Sequence, residues 1–185
     1  MGLREIKIGG FGGQGVILSG MIIGKAAALF DNRNATLIQS FGPEARGSAC
    51  SAQVIVGDET ILYPYVTKPD ILVLMSQEAC ERFLPELDPN GTLLYEQDLV
   101  RLPHTPSTLT VRGIPATRFA EELGRRMVLN IVMVGFFAAV IDLISPDAMR
   151  KAVVDSVPQG TEELNLKAFE RGYAYGVGLL ERVSA

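Results

Sequence analysis

Five of the seven positions from Gly9 to Gly15 are glycine, in the run Gly9-Gly10-Phe11-Gly12-Gly13-Gln14-Gly15. Glycine costs backbone entropy, so such a density belongs where the chain needs a positive φ or a close approach to something. A short strand signal, Glu5-Ile6-Lys7-Ile8, precedes the run, and a long apolar helix signal follows it. Residues 10–15 satisfy G-x-G-x-x-G, a turn that cradles a diphosphate at a helix N-terminus, and strand before with helix after is the context that pattern requires.

The rest of the chain continues this alternation. A strand near Ile6–Gly9 leads into a helix from about Gly15 to Phe30, with Val16, Ile17, Met21, Ile22, Ala26 and Leu29 near helical spacing. Residues 31–34 turn the chain into a second strand over 35–40, and 49–56 reads as a third. Gly57-Asp58 before Thr60-Ile61-Leu62-Tyr63 predicts that 49–56 and 60–63 pair as an antiparallel hairpin. The continuous apolar run from Asp70 to Met75 has the pattern of a parallel strand buried on both faces. A helix from Gln77 to about Leu87 follows, then strands at 92–95 and 107–111, with Thr117 placed to cap the next helix. Helices are predicted after Ser145-Pro146 and from Asn165 to about Val183. These elements predict an α/β fold: a Rossmann-like, mostly parallel sheet with flanking helices and an antiparallel hairpin, as one domain over 1–185.

At 185 residues the chain is long enough to bury a sizeable core. A formal charge of -4 and a pI near 5.1 argue against nucleic acid or an anionic membrane as partner. Cys50 and Cys80 stand far apart, too few for a structural zinc or a four-thiolate cluster, and read as small core residues of a cytoplasmic chain. The N-terminus carries no signal-peptide pattern. Residues 127–141 are nearly all apolar, but they are shorter than the ~20 residues of a bilayer span, and Asn130 interrupts them. A helix apolar all round must be covered all round. In so small a chain the expectation is that a partner subunit covers part of it.

A free NAD(P) or flavin enzyme is disfavoured, because the second element of a dinucleotide site is missing. A dinucleotide site needs Asp or Glu at the end of the second strand to hold the ribose, and here that strand ends Gln39-Ser40. Asp31 precedes the strand, and Arg46 lies beyond it. His104 sits between prolines, without a metal or nucleophile pattern, and reads as a surface loop residue. No catalytic constellation is complete. Either the protein only binds, as a scaffolding module, or it contributes part of a site that another subunit completes.

A second distinctive segment is Gln39-Ser40-Phe41-Gly42-Pro43-Glu44-Ala45-Arg46-Gly47-Ser48. It follows the second strand, at the sheet edge where ligands bind in open α/β sheets. Glu44 and Arg46 can brace each other, or Arg46 can grip a phosphate or carboxylate bidentately. Residues 9–16 and 40–47 together, with the Ser51–Val56 strand and the Asn130-bearing helix, resemble the gamma subunit of 2-oxoacid:ferredoxin oxidoreductases. Phe41 stands where that family more familiarly has tyrosine.

The resemblance implies oxidative decarboxylation of a 2-oxoacid with coenzyme A to acyl-CoA and carbon dioxide, electrons passing to ferredoxin. It favours 2-oxoglutarate, with pyruvate, branched-chain oxoacids and indolepyruvate as alternatives. It places thiamine diphosphate and iron–sulfur clusters in partner alpha and beta subunits, with or without a delta subunit. This chain then holds no cofactor firmly, and coenzyme A is a substrate. Carried over by motif, Gly12, Gly13, Gln14 and Gly15 form the glycine loop of the cofactor-binding region, and Glu44 and Arg46 the second loop.

Overall fold

A computed structural model describes residues 2–40 and 49–184. Six strands form one sheet: β1 (Arg4–Phe11), β2 (Asn34–Ser40), β3 (Ala49–Gly57), β4 (Ile71–Leu74), β5 (Thr92–Glu96) and β6 (Thr110–Ile114), in the order β2-β3-β1-β4-β5-β6. β1, β4, β5 and β6 pair in parallel, whereas β3 is antiparallel to both β1 and β2. The α-helices among the described residues are α1 (Val16–Lys25), α2 (Gln77–Phe83), α3 (Ala116–Glu122), α4 (Leu129–Val140), α5 (Pro146–Ser156) and α6 (Glu162–Ser184). A π-helical turn, Ala26–Phe30, extends α1.

The Rossmann-like α/β architecture is as expected, but the antiparallel element is a different one. Residues 60–63 form no strand. Both edges of β3 are already paired, with Lys7 opposite Gln53 on one side and Ile38 opposite Gln53 on the other. The segment after Gly57 is anchored elsewhere: Val66 N–H donates to Gln53 Oε1, and Thr67 and Lys68 N–H donate to Glu5 Oε2. The last strand is also shifted. Leu109 N–H bonds back to Pro106 and Thr108 to Pro89, so pairing with β5 starts only at Thr110.

Alternation along the buried strands feeds two cores. Ile6, Ile8, Val54, Ile71, Val73, Leu94 and Ile114 face a layer built from α1, α3, α4, α5 and α6. Leu72, Leu74 and Leu93 face the other way, against Ala79, Cys80 and Phe83 of α2. Both cysteines are free and buried, and desolvation raises the pKa of each thiol.

The apolar helix is covered by its own chain, contrary to the expectation of a partner subunit. Every residue of α4 except Ala139 is buried. The means are steric: a Cβ on Gly135 would lie 2.0 Å from Phe169 O, and one on Gly172 would lie 1.9 Å from Val132 O. α4 and α6 therefore meet backbone to backbone, close enough for one helix to seal the other. Exposed Met127 precedes the helix and is not part of it. Among the described residues no helix is long and apolar enough to cross a membrane.

Helix starts follow local chemistry in two cases and tertiary chemistry in a third. Ser76 Oγ caps α2 through Ala79 N–H, and Ser145 Oγ caps α5 through Ala148 N–H, with Pro146 in the first turn. α3 differs from expectation, because its cap comes from another element. Thr117 lies inside the helix and donates its N–H to Glu96 Oε1 at the end of β5.

Gly172→Ala forces the two helices apart and is expected to destabilise the protein by about 3 kcal/mol or more, the upper range for overpacking a core. Gly178→Ala, on the same helix with open space around it, is the control. Chemical denaturation of both variants checks the difference.

Candidate functional site

The glycine loop follows the end of β1, which lies between antiparallel β3 and parallel β4 in the sheet. This is the topological switch point at which open α/β sheets bind ligands. Gly13 and Gly15 have φ of +95° and +75°, the left-handed region that side chains other than glycine rarely adopt. The two differ in surroundings. A Cβ on Gly15 would meet Asn130 Nδ2 at 2.4 Å, whereas one on Gly13 would meet open space.

Gln14 supplies the loop's internal bracing. Its N–H bonds to Phe11 O at 3.1 Å, its Oε1 accepts from Phe11 N–H at 2.7 Å, and its Nε2 donates to Met75 O at 2.9 Å. The side chain thus closes the turn and ties it to the end of β4. Gly12 and Gly13 are exposed above it. Asn130, nearly fully buried, donates Nδ2–H to Gly15 O at 3.4 Å and brings the start of α4 to the start of α1. Neither helix has a side-chain cap or an acidic residue in its first turn. At α4 the N–H groups of Val128 and Leu129 are taken by Arg125 O and Arg126 O, so the start of α1 is the one that makes this end of the molecule positive.

A cleft of about 310 Å³ stands at this point, lined by Gly13, Gln14, Leu99, Arg126, Met127 and Leu129. Arg126 is largely exposed and reaches Glu121 only at 3.8 Å, a surface contact that contributes little. Its guanidinium is free to turn toward an anion. Of the expected loop residues Gly12, Gly13, Gln14 and Gly15, Gly13 and Gln14 line this cleft, and Gln14 holds the loop's shape. Glu44 and Arg46 lie outside the described residues. Leu99, Arg126 and Met127 are additions from distant sequence. The only local hint was the Arg125-Arg126 pair directly before the apolar helix.

The cleft sets an arginine guanidinium and the glycine loop beside an apolar wall. His104 is exposed and lines a separate groove of about 670 Å³ between α2 and residues 101–109, in which Cys80, Leu84, Leu87 and Leu102 form apolar walls. Among the described residues no group of three or more His, Cys, Asp or Glu is arranged to hold a metal ion.

The geometry ranks two glycine substitutions. Gly15→Ala is expected to lower the melting temperature more than Gly13→Ala. Both incur about 1–2 kcal/mol of backbone strain, but only Gly15→Ala also displaces the Asn130 amide. Thermal unfolding of both checks the order, and equal losses would refute the Asn130 contact.

Residues 5–175 match the family described as pyruvate ferredoxin/flavodoxin oxidoreductase. The chain is 48% identical over 172 residues to 2-oxoglutarate synthase subunit KorC of Methanocaldococcus jannaschii, covering 92% of each chain. It is similar in structure to the gamma subunit of a keto/oxoacid ferredoxin oxidoreductase from Geobacter sulfurreducens, with TM-score 0.83, 37% identity and coverage of 95% of this chain and 99% of that one. It shares its fold with a 2-oxoglutarate:ferredoxin oxidoreductase from Magnetococcus marinus carrying 2-oxoglutarate, coenzyme A and succinyl-CoA. There the TM-score is 0.87 at 22% identity, and the match covers 96% of this chain and 32% of that one. A strand–glycine loop–helix unit at the switch point, an antiparallel β3 beside it, and this near-complete coverage agree: the chain belongs to the pyruvate ferredoxin/flavodoxin oxidoreductase family, as a gamma-type module of the 2-oxoacid:ferredoxin oxidoreductases.

Proposed function

We propose that this chain, acting as a single domain over 1–185, is the gamma subunit of a 2-oxoglutarate:ferredoxin oxidoreductase. The complex converts 2-oxoglutarate and coenzyme A to succinyl-CoA and carbon dioxide, with two electrons passed to ferredoxin. The observation that carries the choice of oxoacid is the 48% identity to a 2-oxoglutarate synthase subunit across nearly the whole of both chains. Relatives named for pyruvate are more distant, at 32% and 29%.

This chain's part is to receive coenzyme A. The exposed amides at Gly12 and Gly13, the uncapped start of α1 and the Arg126 guanidinium suit a phosphate group of that substrate. Leu99 and Met127 offer apolar surface beside it. Glu44 and Arg46, outside the described residues, are assigned to the same region by motif. Cys50 and Cys80 are buried in separate cores, so the thiolates for iron–sulfur clusters come from partners. Thiamine diphosphate, which supplies the decarboxylation chemistry, is likewise assigned to the alpha and beta subunits, and the complex to the cytoplasm.

One feature favours a second reading. The open space beyond Gly13 accepts a neighbouring subunit's backbone as readily as a phosphate, which would make the loop a scaffold.

Substitution in the assembled complex separates the two. Arg126→Ala is expected to raise the KM for coenzyme A about tenfold, the scale of one charge-assisted hydrogen bond. Subunit composition and kcat at saturating coenzyme A stay unchanged. Loss of assembly in Gly13→Ala, with unaltered coenzyme A kinetics in the complexes that form, would support the scaffold.

A further inference from the structure

Glu96, the last residue of β5, is fully buried, and both oxygens of its carboxylate are in use. Oε2 accepts from Leu99 N–H at 2.6 Å, and Oε1 accepts from Thr117 N–H at 3.1 Å. One side chain therefore ties the turn after β5 to the start of α3. A buried charge is expensive unless its lone pairs are satisfied. Burial pushes the carboxyl above its ordinary pKa, while the bonds from Thr117 and Leu99 pull it back. Asp98 and Arg118 nearby pair with each other at 2.8 Å.

The segment held in this way leads straight to the cleft. Gln97 N–H bonds to Ile114 O, Val100 N–H to Glu96 O, and Arg101 N–H to Gln77 Oε1. Leu99 N–H has the Glu96 carboxylate as its acceptor, and Leu99 is the residue of this turn that lines the cleft with Gly13, Gln14 and Arg126. We propose that Glu96 is a positioning residue for coenzyme A: its carboxylate fixes residues 97–100 so that Leu99 stands as a rigid apolar wall beside the glycine loop. The inference rests on the reading of this cleft as the coenzyme A site. Glutamate suits the task because two N–H donors from two segments need two acceptors on one side chain. Glutamine offers one acceptor and turns its NH₂ toward the other donor. Aspartate is one methylene shorter.

The test uses the assembled complex and coenzyme A as the varied substrate. Glu96→Gln is expected to raise the KM for coenzyme A about tenfold with kcat at saturation retained, the scale of one lost hydrogen bond to a charged group. Leu99→Ala is expected to raise the same KM. In the double variant the two effects should fall short of their product, since both act on one wall. Fully multiplicative effects would overturn the inference. So would an unaltered KM in Glu96→Gln or Leu99→Ala while Arg126→Ala still raises it, and that result leaves the cleft assignment standing. An unaltered KM in Arg126→Ala as well overturns the cleft assignment and the inference with it. If Glu96→Gln does not assemble, Glu96→Asp takes its place in the same measurements, and an unaltered KM there overturns the inference.

Discussion

The contact between α4 and α6 is the constraint on which the rest depends. α4 has no polar face, and burying each large apolar side chain is worth about 1.5–3 kcal/mol, so the helix can stand only at the centre of a layer. The fold satisfies it with glycine. Gly135 and Gly172 bring the two helices into backbone contact, and α6 then seals a helix that the sheet alone could not cover. Because α4 is fixed in this way, Asn130 at its first turn is fixed too. Its amide fills the space over Gly15 and bonds to Gly15 O. A packing solution deep in the helical layer thus sets the position of an exposed loop at the end of a central strand.

The sheet places that loop beside an unusual neighbour. In a simple alternating fold the strand after α1 would pair directly with β1. Here β3 lies between β1 and β2, antiparallel to both, and its first residue, Ala49, is opposite Phe11. The ends of β2 and β3 therefore stand beside the glycine loop, on the side away from β4. On the other side Gln14 reaches Met75 O. Beyond it, Glu96 holds the turn that carries Leu99, and Arg126 arrives from the start of the helical layer. The cleft is assembled from three separate stretches of chain, around Gly13, Leu99 and Arg126, each held by a hydrogen bond or packing contact that serves the fold as well.

Much of this was legible in the residues. The glycine run needed a left-handed turn between strand and helix, and Gly13 and Gly15 are in that region. The all-apolar run at 71–74 required a strand covered on both faces, and its side chains feed both cores. What escaped depends on contacts between segments far apart in sequence. The hairpin expected after Gly57 rested on a turn dipeptide, but turn propensity is weak beside the pairing energy of a strand flanked on both edges. Thr117 looked like a cap because Ser, Thr and Asp commonly are, yet the acceptor was a carboxylate 21 residues earlier. Leu99 and Arg126 carry no pattern that ties them to residues 12–15.

The sequence by itself determined the class of fold, the glycine turn and the need for a fully buried helix, because periodicity, backbone sterics and hydrophobicity act between near neighbours along the chain. Tertiary structure alone decided where β3 inserts, what covers α4 and which side chains share the cleft. Those outcomes depend on close approach between segments far apart in sequence, and no local preference encodes that distance.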